Sequence, residues 1–312
     1  MSFSHREQRR ADRQFDILTN DTGGLRIVVS RHGAELISLA RRRPDGSWAG
    51  FLYRDNDLST PASGWANHAT VMGYYLHRLK GGRSSYRGRE IRGGTHGFLR
   101  NTDWHADTSG VTNGELVYRV GPDDYQSSDY PVRVALDLIY RCNDRQLTVE
   151  FRFHNLESTL TAHVGFGLHP GFGATSFTSF EFMMPPGKYR RHFAPENFLS
   201  GETEDIDFCG GLMPFDREKL PGSFIIELVD VPDRQFVYRD SPSGRTVILT
   251  LADVPYLTLW SDGGPFLCVE PCWGLTDRHQ QRAFENKDGA QIISPGGALE
   301  AQFIVQPELS AA

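Results

Sequence analysis

Cysteine is scarce. The four residues Cys142, Cys209, Cys268 and Cys272 are scattered over 312 positions, too few and too dispersed for a disulfide framework in a chain of this length. Cys268 and Cys272 are spaced C-x3-C with no second pair at metal-ligand spacing, so they read as packing residues and no metal is expected. No apolar run approaches the roughly 20 residues that cross a bilayer. Met1 to Arg10 also lack the apolar segment of a signal peptide. A cytoplasmic protein with no membrane partner is the expectation. Charge of one sign is lacking too: a net charge of -6 gives no electrostatic argument for nucleic acid. Nucleophile elbow, phosphate loop and dinucleotide fingerprint are all missing, which removes the common nucleotide and acyl-transfer chemistries.

Aromatic residues are plentiful, with 20 Phe and 11 Tyr. Val132 to Tyr140 carries its larger apolar residues mostly on even positions, and Leu147 to His154 carries them on odd ones. Asn143-Asp144 lies between as turn material, so this is a hairpin with one buried face. Leu25 to Val29, Ala34 to Leu39, Gln235 to Arg239, Thr246 to Leu251, Tyr256 to Trp260, Phe266 to Val269 and Glu300 to Val305 read as further strands. Short runs punctuated by Gly and Pro, with no long amphipathic helix, predict an all-β sandwich or barrel. Residues 1–13 are charged and without period, and are expected to be a poorly ordered tail ahead of one domain over 14–312. Asp55 to Gly64 reads as a surface loop, and Pro185 to Pro221 as an irregular excursion carrying the acidic patch Glu202 to Asp205.

Three stretches carry groups suited to chemistry: Thr95 to Trp104, Gly165 to Phe172 and Phe266 to Pro271. His96 in its Gly-rich setting reads either as a loop histidine or as a catalyst. His169 precedes Pro170, which favours extended backbone, and the glycines around it leave room for a ligand. Glu270 closes an apolar strand. It could pair with an arginine, or, partly desolvated, serve as a general base. A glutamate base and a histidine acid can move protons on and off one small substrate near neutral pH without metal or cofactor. Phe98, Phe166, Phe172, Trp260 and Trp273 could stack on a sugar or pack the core.

These stretches, in this order, resemble the aldose 1-epimerase (galactose mutarotase) family. His96-Gly97-Phe98-Leu99-Arg100-Asn101 with Asp103-Trp104 is similar to its first histidine element, and Leu168-His169-Pro170 with Phe172 to its second. Leu259-Trp260-Ser261 through Val269-Glu270-Pro271 is similar to its glutamate strand, and Gly33 to Leu39 to its early strand. The resemblance implies an all-β, galactose mutarotase-like β-supersandwich that interconverts the α and β anomers of a free aldose and needs no cofactor. Its partner would be a small-molecule sugar. Glu270 would then be the base, His169 the acid at the ring oxygen, and His96 a hydrogen-bond partner of the reacting oxygens. Arg78 is the counterpart of the family's sugar-binding arginine, with Phe98, Arg100, Trp273 and Asp277 as further contacts. His77 stands before Arg78 where the family often has glycine, and Glu270 to Asp277 is closer to a less-characterised branch of the family than to the galactose enzymes. Arginines 78, 83, 87, 89, 92 and 100 crowd one segment, so a hexose 6-phosphate is a second candidate substrate and a non-catalytic sugar binder a third reading.

Overall fold

Alternation along Val134–Cys142 and Leu147–Asn155 builds the first sheet. The two strands pair antiparallel, with Leu138 opposite Phe151 and Leu136 opposite Phe153, and all four side chains are fully buried. In the computed structural model, which describes residues 1–214 and 216–310, they belong to a nine-stranded sheet. Phe215 and the last two residues of the expected 14–312 span lie outside the described residues.

Opposite this sheet lies an eight-stranded one. Its longest strand is the twelve-residue Ala162–Gly173, paired on one side with Phe266–Trp273 and on the other with Ala69–Tyr74. Aromatic rings join the two layers. Phe153 and Phe151 of the first sheet meet Phe166 of the second at centroid distances of 4.5 and 5.1 Å, and Phe166 stacks on Trp273 at 5.0 Å. Burying rings of this size dominates a core of this kind. A five-stranded N-terminal sheet and a small hairpin, Arg83–Tyr86 with Arg89–Arg92, complete the β structure. Among the described residues no helix exceeds the six of the 3₁₀ segment Arg217–Gly222, and none is long and apolar enough to cross a membrane. The molecule is all-β, as its spacing of short apolar runs requires.

Two expectations are corrected. The charged N-terminal segment is not a tail: Phe3–Arg10 is a strand, paired residue for residue with Arg13–Asn20. A buried carboxylate ties it down. Asp16 accepts hydrogen bonds from Arg31 at 2.8 and 2.9 Å and from the Tyr118 hydroxyl at 2.9 Å, with His5 Nε2 at 3.0 Å. Arg31 also reaches Glu7 at 2.8 Å. Charges spread along this edge strand hide it from a periodicity argument. The same effect hides the second case. The excursion from Pro185 contains the antiparallel strands Gly187–His192 and Thr203–Phe208. The acidic patch faces arginines across that pair, with Arg190 Nε 2.7 Å from Asp205 and Arg191 opposite Glu204. Charged side chains on edge strands are a common guard against edge-to-edge pairing.

Burial pushes the Asp16 carboxyl up, but the hydrogen bonds from Arg31, His5 and Tyr118 outweigh it and hold it below the ordinary aspartate value. Its folded-state value is therefore depressed, so its contribution is present above about pH 4 and is lost as the pH falls through the folded value. Asp16→Ala is expected to cost roughly 3–5 kcal/mol, the range for breaking a buried pair. In chemical denaturation the variant should also lose less stability than wild type between pH 5 and acid. A variant as stable as wild type at neutral pH would show that Asp16 does not anchor the N-terminal sheet.

Candidate active site

The pairing of two central strands brings the histidine and the glutamate together. Gly167 lies opposite Cys272 and Gly171 opposite Cys268, which puts His169 and Glu270 at facing positions. Their side chains meet on one face, with His169 Nε2 3.3 Å from Glu270 Oε1. Thr70 flanks His169 on the next strand, and Thr258 flanks Glu270 on the other side. His169 and Glu270 are both buried, Glu270 at 1% exposure.

His96 arrives from a turn rather than a strand. Its amide donates to the His77 carbonyl at 2.7 Å, and its own carbonyl accepts from Gly73 N at 3.1 Å, so the turn is pinned to the end of Ala69–Tyr74. Both histidines sit in the left-handed region, His96 at φ 64° and His77 at φ 53°. Such backbone costs on the order of 1–3 kcal/mol and persists where the surroundings enforce it. Gly97, at φ 75°, is required here: a Cβ on it would lie 2.0 Å from the Gly73 carbonyl oxygen. The imidazole rings then line up in succession. His77 and His96 are 5.4 Å apart, and His96 meets His169 edge-on at 5.1 Å. Trp65 stacks on the other side of His169 at 5.1 Å. Gly171 makes this possible, since a Cβ there would lie 2.4 Å from the Trp65 ring.

A pocket of about 220 Å³ opens over these groups, enough for a small molecule. His96, His169, Glu270, Arg78 and Arg100 all line it. Burial governs its electrostatics. Desolvation pushes the Glu270 carboxyl well above the ordinary value. Burial, then the nearby His77 and Arg100, brings His169 down to about 3. His96 is pushed well down by burial, then by His169 and His77. Both shifts act in one direction: burial disfavours the charged carboxylate and the charged imidazolium alike. Glu270 Oε2 and the Nδ1 atoms of His96 and His169 have no hydrogen-bond partner in the structure. Buried polar atoms are costly when unpaired, so these atoms are poised for a polar ligand.

Three expected contacts lie elsewhere. Phe98 packs against Tyr74 and Tyr125 at 5.2 and 4.9 Å, away from this pocket. Trp273 is a core residue stacked on Phe166, its indole N–H bonded to the Asp253 carbonyl. Asp277 points at its own scaffold: it accepts from Lys80 N at 2.8 Å and pairs with buried Lys287. Its amide also bonds the Arg78 carbonyl at 3.2 Å, so it shapes the segment that carries Arg78 instead of reaching the pocket. Conversely, Trp65, Asn67, His77, Asn197 and Thr276 line the pocket and were not singled out as contacts from the sequence. Only His77 carried a signal, as the residue standing in a glycine position. One donor atom from each of His77, Glu270 and Cys272 lies within 4.8 Å of the others, a grouping that spacing along the chain does not reveal.

The sequence profile of the aldose 1-epimerase family matches residues 16–181. No curated protein matches the chain in a sequence search. Among solved structures, the chain is similar to a galactose mutarotase related enzyme from Lactobacillus acidophilus. The TM-score is 0.82 at 22% identity, covering 98% of this chain and 97% of that one. It is also similar to a galactose mutarotase-like protein from Lactobacillus casei, with TM-score 0.80 at 20% identity over 98% and 100% of the two chains. A galactose mutarotase-like protein from Clostridium acetobutylicum gives TM-score 0.73 at 13% identity, with 99% of each chain covered. At such identities the likeness shows the fold, the galactose mutarotase-like sandwich. The profile match spans more than half of the sequence, and the chain belongs to the aldose 1-epimerase family.

Proposed function

We propose that the protein is a cofactor-independent isomerase that interconverts the α and β anomers of an aldose. The observation that carries this reading is the His169–Glu270 contact of 3.3 Å on the wall of a pocket, with Glu270 Oε2 and His169 Nδ1 unpartnered. Two proton-transfer groups that close can serve two oxygens of one sugar ring. In the forward direction the Glu270 carboxylate takes the proton of the C1 hydroxyl while the His169 imidazolium gives its proton to the ring oxygen. The C1–O5 bond breaks and the C1 carbonyl forms. Rotation about C1–C2 turns the other carbonyl face to the ring hydroxyl, and both transfers reverse on closure. The pair holds one transferable proton throughout. The carboxylic acid with neutral imidazole, which burial favours, is the arrangement that accompanies the open-chain aldehyde.

His96 reaches the same pocket and would hydrogen-bond the reacting oxygens. Arg78 and Arg100 line the wall and would bind sugar hydroxyls. The same two arginines favour a second reading, an aldose phosphate, because guanidinium groups suit phosphate oxygens. Arg83, Arg87, Arg89 and Arg92 lie on or beside the small hairpin and do not line this pocket.

Polarimetry on freshly dissolved α-glucose, α-galactose and α-glucose 6-phosphate tests both readings. Wild type should speed the approach to anomeric equilibrium, and the sugar that responds distinguishes them. Glu270→Gln should reduce the catalysed rate by ~10²-fold or more, the usual size of an acid–base contribution. It should melt no lower than wild type, because it removes a buried ionisable group. Acceleration of none of the three sugars would overturn the proposal.

The pH profile has a definite sign. A second proton on His169, with a value near 3, removes the base on the acid side. Loss of the shared proton above the raised Glu270 value removes the acid on the alkaline side. A bell-shaped kcat/KM with a neutral plateau is expected, its limbs belonging to the pair. Trp65→Ala should hydrate His169, raise its pKa toward 6.5 and move the acid limb to higher pH. An acid limb that stays in place would show that Trp65 does not shield the imidazole.

A further inference from the structure

Behind the acid–base pair lies a cluster that anomer exchange does not use in full. Glu270 and Cys272 are two residues apart on Phe266–Trp273 and so project from the same face. Thr258 lies opposite Glu270 in the neighbouring strand. His77 comes in from the segment after Ala69–Tyr74, its Nε2 3.5 Å from Thr258 Oγ1, which in turn is 4.0 Å from Cys272 Sγ. Three donor types, imidazole nitrogen, carboxylate oxygen and sulfur, thus converge within 4.8 Å, all buried.

The cluster differs from ordinary core packing in two respects. Glu270 turns Oε1 toward His169, but its Oε2 has no partner. His77 and Glu270 also form part of the pocket wall, so a small ion has a route to them from solvent. Nitrogen, sulfur and carboxylate oxygen form a borderline-soft ligand set that excludes Mg²⁺ and Ca²⁺, which prefer all-oxygen shells.

We propose that His77, Glu270 and Cys272 form a binding site for a borderline-soft divalent cation of the Zn²⁺ class, with the fourth position open to the pocket. Tetrahedral bonds of ~2.0–2.3 Å hold donor atoms roughly 3.3–3.7 Å apart. A group spanning 4.8 Å therefore closes by about 1 Å on binding, within reach of side-chain rotation at His77 and Glu270. The sulfur–metal bond replaces the Cys272 S–H bond, the oxygen–metal bond replaces the carboxyl proton where Glu270 holds one, and each displaced proton leaves to solvent. A cation there occupies the carboxylate assigned as base. Metal binding and sugar turnover exclude one another, a consequence that rests on the anomer-exchange reading while the site itself does not.

Co²⁺ titration of the full-length protein tests the site through the near-ultraviolet absorption of a cobalt–thiolate bond. Stoichiometric Co²⁺ should produce the band, and Zn²⁺ should bleach it. Cys209→Ser, which removes the exposed thiol, should retain the band. Cys272→Ser should abolish it, and Glu270→Gln should weaken Co²⁺ binding roughly tenfold or more. No band in wild type, or a band that survives Cys272→Ser, overturns the site. If Cys272→Ser fails to fold, unchanged Co²⁺ affinity in Glu270→Gln overturns it instead. Zn²⁺ should abolish sugar turnover in the polarimetric assay. Full turnover by the Zn²⁺-loaded protein overturns the exclusion, whereas a metal-free protein with no turnover counts against the anomer-exchange reading alone.

Discussion

Everything at the site follows from one constraint: a carboxyl group and an imidazole, both buried, 3.3 Å apart on adjacent strands. Burial disfavours the charged form of each group, and at this distance each group's state depends on the other. Neighbouring side chains pack closely around that contact. Small residues on Ala162–Gly173 let neighbouring groups close in, and Gly171 is the clearest case, because Trp65 covers His169 only where no Cβ intervenes. The aromatic layer beneath, with Phe166 stacked on Trp273 and wedged against Phe151 and Phe153, holds the two strands in register.

What could be read from the chain tracks where the interactions are local. The Val134–Cys142 and Leu147–Asn155 hairpin was legible because one face of it is buried, so apolar and polar residues alternate. Tyr256–Trp260, whose three middle residues are all buried, was legible as a short β-forming run of Tyr, Leu, Thr and Trp. Phe3–Arg10 and Thr203–Phe208 were not, because each is an edge strand held by charged partners whose positions are set by the opposing strand. At the site, His169 and Glu270 stood out by motif, and strand register then brought them together. Phe98, Trp273 and Asp277 belong to the same motifs but serve the scaffold. An aromatic in a motif can pack under a pocket as readily as over it, and side-chain direction is decided by the fold. Trp65 lies 104 residues before His169 in the sequence; no spacing rule connects them.

Asp277 illustrates how scaffold and site are joined. By accepting from Lys80 N and pairing with Lys287, it fixes the start of the small-hairpin region, and its amide holds the Arg78 carbonyl. The left-handed backbone of His77 and His96 is braced from both sides, through the His96 N–His77 O bond and the Gly73 contacts. The strain is thus borne by a connected set of loops around the pocket, while the strands carrying His169 and Glu270 hold no residue at positive φ. Local cost is concentrated in the elements that point histidines at the ligand.

Three imidazoles in succession, with Arg78 and Arg100 beside them, make a positive charge on any one of them costly. His77 is pushed down to about 4, by burial and then by Lys287 and Arg78, and His96 and His169 feel their neighbours in the same direction. Desolvation pushes the Glu270 carboxyl up in the same setting, so burial favours neither charged form. On the anomer-exchange proposal, the hydroxyls of a bound sugar would offer hydrogen bonds to Glu270 Oε2 and His169 Nδ1, which have no partner in the structure. The carboxylate–imidazolium arrangement that this proposal requires would then cost less with a sugar bound than without one. Activation of the base would then be a consequence of filling the pocket, because hydrogen bonds from the ligand lower the cost of burying two opposite charges.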